Sequence, residues 1–147
     1  MLIIQENNFL KARERIRKNK GEVIFSSGND ELNRKILEKE RIKILLINQS
    51  KRKDFQKQRD SGFNQVLAKL AKKNNTIIGI NFDEIIESKN KEKAKILARA
   101  YQNIKLCNKN KLNMKFIANN EKNKRNTYDL RSLGLVLGMP TWMTNKL

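Results

Sequence analysis

Between residues 51 and 59 the chain reads KRKDFQKQR, which crowds Lys51, Arg52, Lys53, Lys57 and Arg59 around Asp54. At that density guanidinium and ammonium groups grip phosphate oxygens, arginine through its planar fork and lysine as a point charge. The carboxylates suggest a different chemistry, since Asp60, Asp83 and Glu84 are residue types that hold a divalent metal for hydrolysis. Yet Asp83 and Glu84 directly follow a strand-like run and suit the first turn of a helix, where acids meet the positive end of its dipole. Asp54 and Asp60 lie among arginines and are expected to pair with them, and Asp60-Ser61-Gly62 has turn chemistry that can cap a following helix.

The chain has no histidine and one cysteine, Cys107. It therefore lacks an imidazole base, a His-assisted nucleophile, His metal ligands, an intrachain disulfide and a cysteine-cluster metal site. Cys107 is expected near the end of a helix in a half-buried structural role. Neither G-x-G-x-x-G nor G-x-x-x-x-G-K-[ST] occurs, so nucleotide-cofactor chemistry loses its usual phosphate cradle.

Lys and Arg number 33 against 15 Asp and Glu, a formal charge of +18 on 147 residues. Such a surplus repels itself in a compact fold unless a polyanion neutralises it, and nucleic acid is the natural polyanion. A membrane is not expected as partner, because the longest aliphatic runs, such as Ile44–Ile47, are strand-sized. MLIIQENNFLKARER has too short an apolar stretch for a signal peptide and carries Glu6 close behind it, so the chain is expected to stay where it is made. At 38% hydrophobic residues, one domain over 1–147 can still bury a core. Phe25, Phe63 and Phe116 fall at core positions, so a platform stacking single-stranded bases is not expected. Structured RNA, recognised by shape and backbone, fits better.

The elements that must position these groups follow from periodicity. Residues 7–19 form a basic helix, 22–26 a strand, and Asn29 caps a helix with Asp30 and Glu31 in its first turn. Residues 44–47 are a strand, and Phe63, Val66, Leu67, Leu70 and Ala71 stripe the helix that follows the basic loop. Residues 76–80 are a buried strand, 82–87 a turn with Ile85 and Ile86 inward, 89–109 the longest helix, and 115–118 a weaker strand. A final helix starts at Tyr128 behind Asn126 or Thr127 and ends at Gly138 and Pro140. Four strands with continuous apolar runs, alternating with helices, predict an α/β fold with a parallel sheet covered by helices. Ligand groups then belong in the loops after strand ends, at 27–28, 48–62, 81–84 and 119–127. The abundance of Lys, Asn and Ile reads as coding bias.

Two blocks, QRDSGFNQVLAKLAKKNNTIIGINFDEII and RNTYDLRSLGLVLGM, resemble ribonuclease P protein component 3, a subunit shared by archaeal and eukaryotic ribonuclease P. The first matches that family's basic Asp-x-Gly turn, Leu-x-Lys-Leu helix and strand running into Phe. The second matches its Arg-x-Pro-x-Asp entry to a Leu-Gly-rich helix, although Thr127 stands where proline is usual. The resemblance covers roughly residues 23–139 and implies a TIM-barrel-like fold, related to polymerase-and-histidinol-phosphatase hydrolases but without their metal centre. It implies a catalytic RNA, with Mg2+ serving that RNA, and no cofactor or catalytic residue in the protein itself. Implied partners are ribonuclease P RNA, precursor tRNA, protein component 2 and other protein subunits.

Carried over residue by residue, Arg59, Asn64, Lys69 and Lys73 match polar or basic positions of the first block and Arg125 the arginine of the second. Lys72 and Lys53 are further RNA-binding candidates, and Arg131 departs from an often apolar position. The implied location is cytoplasmic for an archaeal chain and nuclear for a eukaryotic one. Four strands fall short of the eight of a closed barrel, so the truncated barrel is expected to need a partner subunit or a second copy, unless the N-terminal segment covers the gap. Two other readings stand beside this one: a stand-alone metal-dependent nuclease using Asp60, Asp83 and Glu84, and a general structural RNA-binding protein.

Overall fold

Strands buried on both faces cannot alternate apolar with polar residues, which is why the apolar runs of this chain become the strands of a parallel sheet. In the computed structural model, which describes residues 1–147, these are β1 (Leu2–Gln5), β2 (Val23–Ser26), β3 (Ile44–Ile47), β4 (Ile77–Asn81) and β5 (Met114–Ile117). They form one sheet in sequential order, every pair parallel, with Ile4 opposite Phe25, Phe25 opposite Leu45, Leu45 opposite Ile78 and Ile80 opposite Phe116. β1 corrects the four-strand expectation. Its three apolar residues carry little periodic signal alone, yet Ile4 is fully buried once paired with β2.

Between the strands run α1 (Phe9–Lys18), α2 (Asp30–Lys39), α3 (Gln65–Asn74), α4 (Phe82–Glu87) and α5 (Asn90–Lys109). After β5 come a single 3-10 turn (Glu121–Asn123), α6 (Thr127–Val136) and α7 (Thr141–Thr144). Asparagine side chains start most of these helices: Asn8, Asn29, Asn64, Asn81 and Asn126 each accept a backbone N–H of the first turn. Each such cap is worth about 1 kcal/mol over alanine. The asparagine content is thus partly structural, contrary to a reading as coding bias alone. Asn64, and not Asp60-Ser61-Gly62, caps α3. Phe63 therefore lies outside that helix, its core face is Leu67, Ala68 and Ala71, and Val66 turns out to solvent. Residues 82–87, expected as a turn, are helical, with Ile85 buried as anticipated.

The helices cover one face of the sheet, over Ile4, Phe25, Leu45, Ile47, Ile78 and Ile80. The other face carries a smaller cluster of Ile24, Ile44 and Leu46, flanked by Ile3, Ile77 and Ile117. Met1 and Ile3 of the β1 edge border the same 460 Å³ cavity as Phe116 and Ile117 of the β5 edge, so the sheet curls upon itself as in a barrel. Curling and the extra strand leave Ile24, Ile44 and Leu46 at 5%, 1% and 4% exposure. The N-terminal segment thus covers much of the apolar face for which a second copy was invoked. Gly79 faces into this concavity, where an added Cβ would lie 3.0 Å from Ile44, 3.2 Å from Leu46 and 3.3 Å from Ile117. Replacing Gly79 by valine should therefore overpack the inner face and cost about 1–3 kcal/mol in a urea titration. Gly21→Ala, whose Cβ would have only Asn19 at 3.8 Å, should stay within about 0.5 kcal/mol of the parent.

Candidate nucleic-acid interface

A hydrogen-bonded belt of neutral side chains crosses the carboxyl ends of the central strands. The Asn48 amide donates to Ser26 Oγ at 2.9 Å, and the Asn81 amide donates to Asn48 Oδ1 at 2.8 Å. Asn81 Oδ1 in turn accepts the Glu84 N–H at 3.3 Å. The Glu84 carboxylate then reaches back to accept the N–H groups of Gln49 (2.7 Å) and Ser50 (3.2 Å), where the basic loop begins.

That loop is built around one buried side chain. Arg99, 0% exposed on the inner side of α5, donates from Nε to Asp54 Oδ1 at 3.0 Å. Its two terminal nitrogens donate to the carbonyls of Gln49 and Arg52, each at 2.8 Å. Asp54 also accepts from Arg59 Nη1 (3.2 Å) and from the Asp60 N–H (3.1 Å), closing the segment between residues 54 and 60. Arg52 is a second strut: it donates to the Asn48 carbonyl and, through both terminal nitrogens at 2.9 Å, to Asp30 on α2. The Gln49 and Asn103 amides hold the Ser61 carbonyl. Gly62 has φ +71°, and an added Cβ there would collide with the Arg52 guanidinium.

Burial pushes the Asp54 carboxyl upward, but the Arg99 hydrogen bond, the Asp60 N–H and the charges of Arg99 and Arg59 outweigh it and hold the group below the usual range. Burial disfavours the charged Arg52 guanidinium, and Asp30, Asp60 and Glu84 more than restore it, so Arg52 stays cationic. Cys107 is fully buried, deeper than the half-buried place expected, and desolvation drives its thiol strongly upward, which makes it structural.

Beyond β5, Asp83 accepts the N–H groups of Asn119 (2.8 Å) and Asn120 (3.2 Å) and the Asn123 amide (2.8 Å). Arg125 donates to the Lys122 and Lys124 carbonyls at 3.0 and 3.1 Å and is otherwise exposed. Asp60, Asp83 and Glu84 therefore serve three different sets of donors, and they form no group able to share a metal ion. Asp83 and Glu84 do stand in the first turn of a helix, but each organises a neighbouring loop in addition to meeting the dipole.

Of the residues anticipated from sequence, Lys53 and Arg59 (β3–α3 loop) and Arg125 (after β5) stand exposed at the same end of the sheet. Asn64 starts α3 near that end, but its oxygen is committed to the Leu67 N–H. Lys72 and Lys73 do not join them, and Lys69 stands exposed midway along α3. α3 runs back against the strands for 10 residues, roughly 15 Å, so its last turn lies at the opposite end. There Lys72 Nζ donates to the Lys111 carbonyl at 2.9 Å. Lys73 thus cannot stand beside Arg125, since charge spacing along a helix says nothing of which end faces the loops. Arg99 was overlooked, although it falls within the buried stripe Ile96, Ala100, Asn103, Ile104 and Cys107. A charged residue interrupting an apolar face was the available signal.

A curled sheet of five parallel strands under helices places the chain in the TIM-barrel-like α/β class. Within that class the chain belongs to the RNase P subunit p30 family, whose profile matches residues 1–145. Ribonuclease P protein component 3 of Methanococcus maripaludis (strain C7) is 31% identical over 105 residues, covering 71% of this chain and 42% of that relative. The component 3 of Methanococcus vannielii is 32% identical over 93 residues, 63% of this chain and 38% of its own length. A chain of a cryo-EM structure of archaeal ribonuclease P with mature tRNA superposes with a TM-score of 0.81 at 27% identity, covering 98% of this chain and 62% of that one. The chain thus spans about two fifths of the length of these curated relatives.

Arg99→Met keeps most of the buried volume but strips hydrogen bonds from two carbonyls and one of the two counter-charges, the buried one, from Asp54. Its stability in urea should fall by about 3 kcal/mol, the low end for breaking a buried pair because Asp54 retains some water contact. The depressed carboxyl of Asp54 stabilises the loop fully above its ordinary titration range, and that contribution disappears as pH falls through the folded-state value. Protection of the Asp60 amide against hydrogen exchange, corrected for intrinsic rates, should therefore drop below about pH 4 and be pH-insensitive in Asp54→Asn.

Proposed function

We propose that the chain acts as a protein subunit of ribonuclease P, using the exposed cations of its strand-end loops to bind and position the ribonuclease P RNA. That RNA, with Mg2+, then removes the 5′ leader of precursor tRNA, and the protein contributes no catalytic group or cofactor of its own. The observation that carries this reading is the Arg99-anchored loop, which presents Lys53 and Arg59 in a fixed arrangement at the rim that also bears Arg125. Family membership and the names of its relatives agree with it. The metal-nuclease reading is weaker because Asp60, Asp83 and Glu84 are already occupied by separate loops.

A protein partner, which we take to be component 2, has an apolar face available on α6, where Tyr128, Leu135 and Val136 are 78%, 55% and 82% exposed. A homodimer through the concave face has less to bury, because the curl and β1 already cover it.

Reconstitution tests the reading. The purified chain alone should cleave no precursor tRNA, yet raise cleavage by ribonuclease P RNA and component 2 at low magnesium. Arg59→Ala and Arg125→Ala should each weaken that stimulation and lower the salt slope of RNA binding by about one. Unchanged stimulation in both variants would show the site assignment to be wrong. Metal-dependent cleavage by the chain alone, abolished by Asp83→Asn, would establish the nuclease instead, and equal binding of unrelated RNAs without stimulation would indicate a general RNA-binding role.

A further inference from the structure

The tip of the basic loop carries an aromatic ring that the core does not use. Phe55 is 62% exposed, between Lys53 and Lys57. A single exposed apolar side chain is commonplace on protein surfaces. This one is held in place by an unusual amount of structure. Its N–H donates to the Gln58 carbonyl at 2.9 Å, and the residue before it, Asp54, is clamped by Arg99, Arg59 and the Asp60 N–H. The backbone on both sides of the ring is thus fixed, so the ordering cost of a contact at Phe55 is largely met before any ligand arrives.

Beside the ring lies a groove of 390 Å³ between α2, the loop, α3 and α5. Phe55, Gln58 and Gln102 line it together with Arg34 and Arg59. The Gln58 side chain is exposed and makes no hydrogen bond within the protein. Gln102 donates to the Arg59 carbonyl and to Ser61 Oγ, each at 3.2 Å, which leaves its amide oxygen open as an acceptor. Three carboxylates also border the groove. Asp30 and Asp60 are paired with Arg52, whereas Glu31 is free to accept a hydrogen bond. A free carboxylate repels phosphate but accepts N–H groups, so the groove suits a base edge. The lysines outside it suit the backbone.

We propose that Phe55 and this groove hold one unpaired nucleotide of an RNA, its base stacked on the Phe55 ring. The open amide of Gln58 and the amide oxygen of Gln102 meet the base edge, and the flanking phosphates contact Lys53, Lys57 and Arg59. Base–aromatic stacking tolerates any base, because every base has a π-face. This contradicts the expectation, drawn from the core positions of other phenylalanines, that the chain offers bases no stacking surface. It rests on the RNA-binding reading above and gives that reading a defined contact.

The test is binding of a short single-stranded oligoadenylate and of a blunt RNA duplex of equal length to the purified chain, between about 50 and 200 mM salt. Phe55→Leu should weaken single-strand binding by roughly fivefold, the low end of the range for losing a stacked base, with an unchanged salt slope. Phe55→Tyr should bind like the parent, and neither change should affect the duplex appreciably. Lys57→Ala should give the opposite signature, a slope lower by about one on both RNAs. Because Phe55 is exposed, its variants are expected to keep the parent's urea midpoint. The inference is overturned if Phe55→Leu binds the single strand as tightly as the parent, if it loses both RNAs equally, or if the parent retains no single strand. Loss of ribonuclease P stimulation by the parent chain, with Phe55-dependent binding intact, would sink the broader reading and leave this contact standing.

Discussion

The buried guanidinium of Arg99 is the interaction on which the arrangement of this molecule's charged end depends. Taking an arginine out of water costs several kcal/mol, and the cost is tolerable only when its donors are satisfied and its charge is answered. Here two backbone carbonyls and the Asp54 carboxylate do both. Those acceptors come from three positions of one loop, so a single side chain on α5 fixes the path of a segment that carries mostly positive charge. Left to itself that segment would spread, because like charges repel and long loops are entropically loose. A cation buried beneath a cationic loop looks counter-productive until Asp54 is counted. That carboxylate pairs with Arg99 below and Arg59 above, and it accepts the Asp60 N–H of the same loop.

The same arrangement separates two tasks between the ends of the sheet. At the amino-terminal end, side chains are spent on joining elements: Asn74 donates to the Leu37 carbonyl, Thr76 to that of Ile42 and Lys72 to that of Lys111. At the carboxyl end, buried polar groups hold the loops and leave the outer cations exposed. Helices that return antiparallel to the strands enforce this division, since a residue in the last turn of α3 cannot reach a loop beyond β3. Charge density in the sequence is therefore a poor guide to the rim, while position relative to a strand's end is a good one.

Much of the fold was legible because buried parallel strands announce themselves as continuous apolar runs, as in Ile44–Ile47, and capped amphipathic helices do so by period, as in α2. β1 was not, because three apolar residues give no period and gain their burial only from pairing with β2. Val66 was misplaced because its helix begins two residues later than the stripe suggested, once Asn64 takes the cap. In the site, the exposed positions of Lys53, Arg59 and Arg125 followed from loop placement, and the pairing of Asp54 and Asp60 with arginines followed from proximity. Arg99 did not, because pattern reading assigns a charged residue to the surface, whereas a buried charge is decided by acceptors that lie 45 to 50 positions away in the chain.

The centre of the rim then constrains what the cations around it can be for. Ser26, Asn48 and Asn81, at the ends of three adjacent strands, bond to one another, and none of them titrates near neutral pH. Amides and a hydroxyl already engaged with each other offer neither a proton acceptor for a nucleophile nor the anionic ligand set that grips a divalent ion tightly. What they do provide is stiffness, since each bond ties one strand end to the next. Electrostatic work at this end of the molecule falls to groups outside the belt, whose charge is permanent. Permanent charge on a stiff frame attracts and orients a polyanion without itself taking part in proton transfer or metal binding.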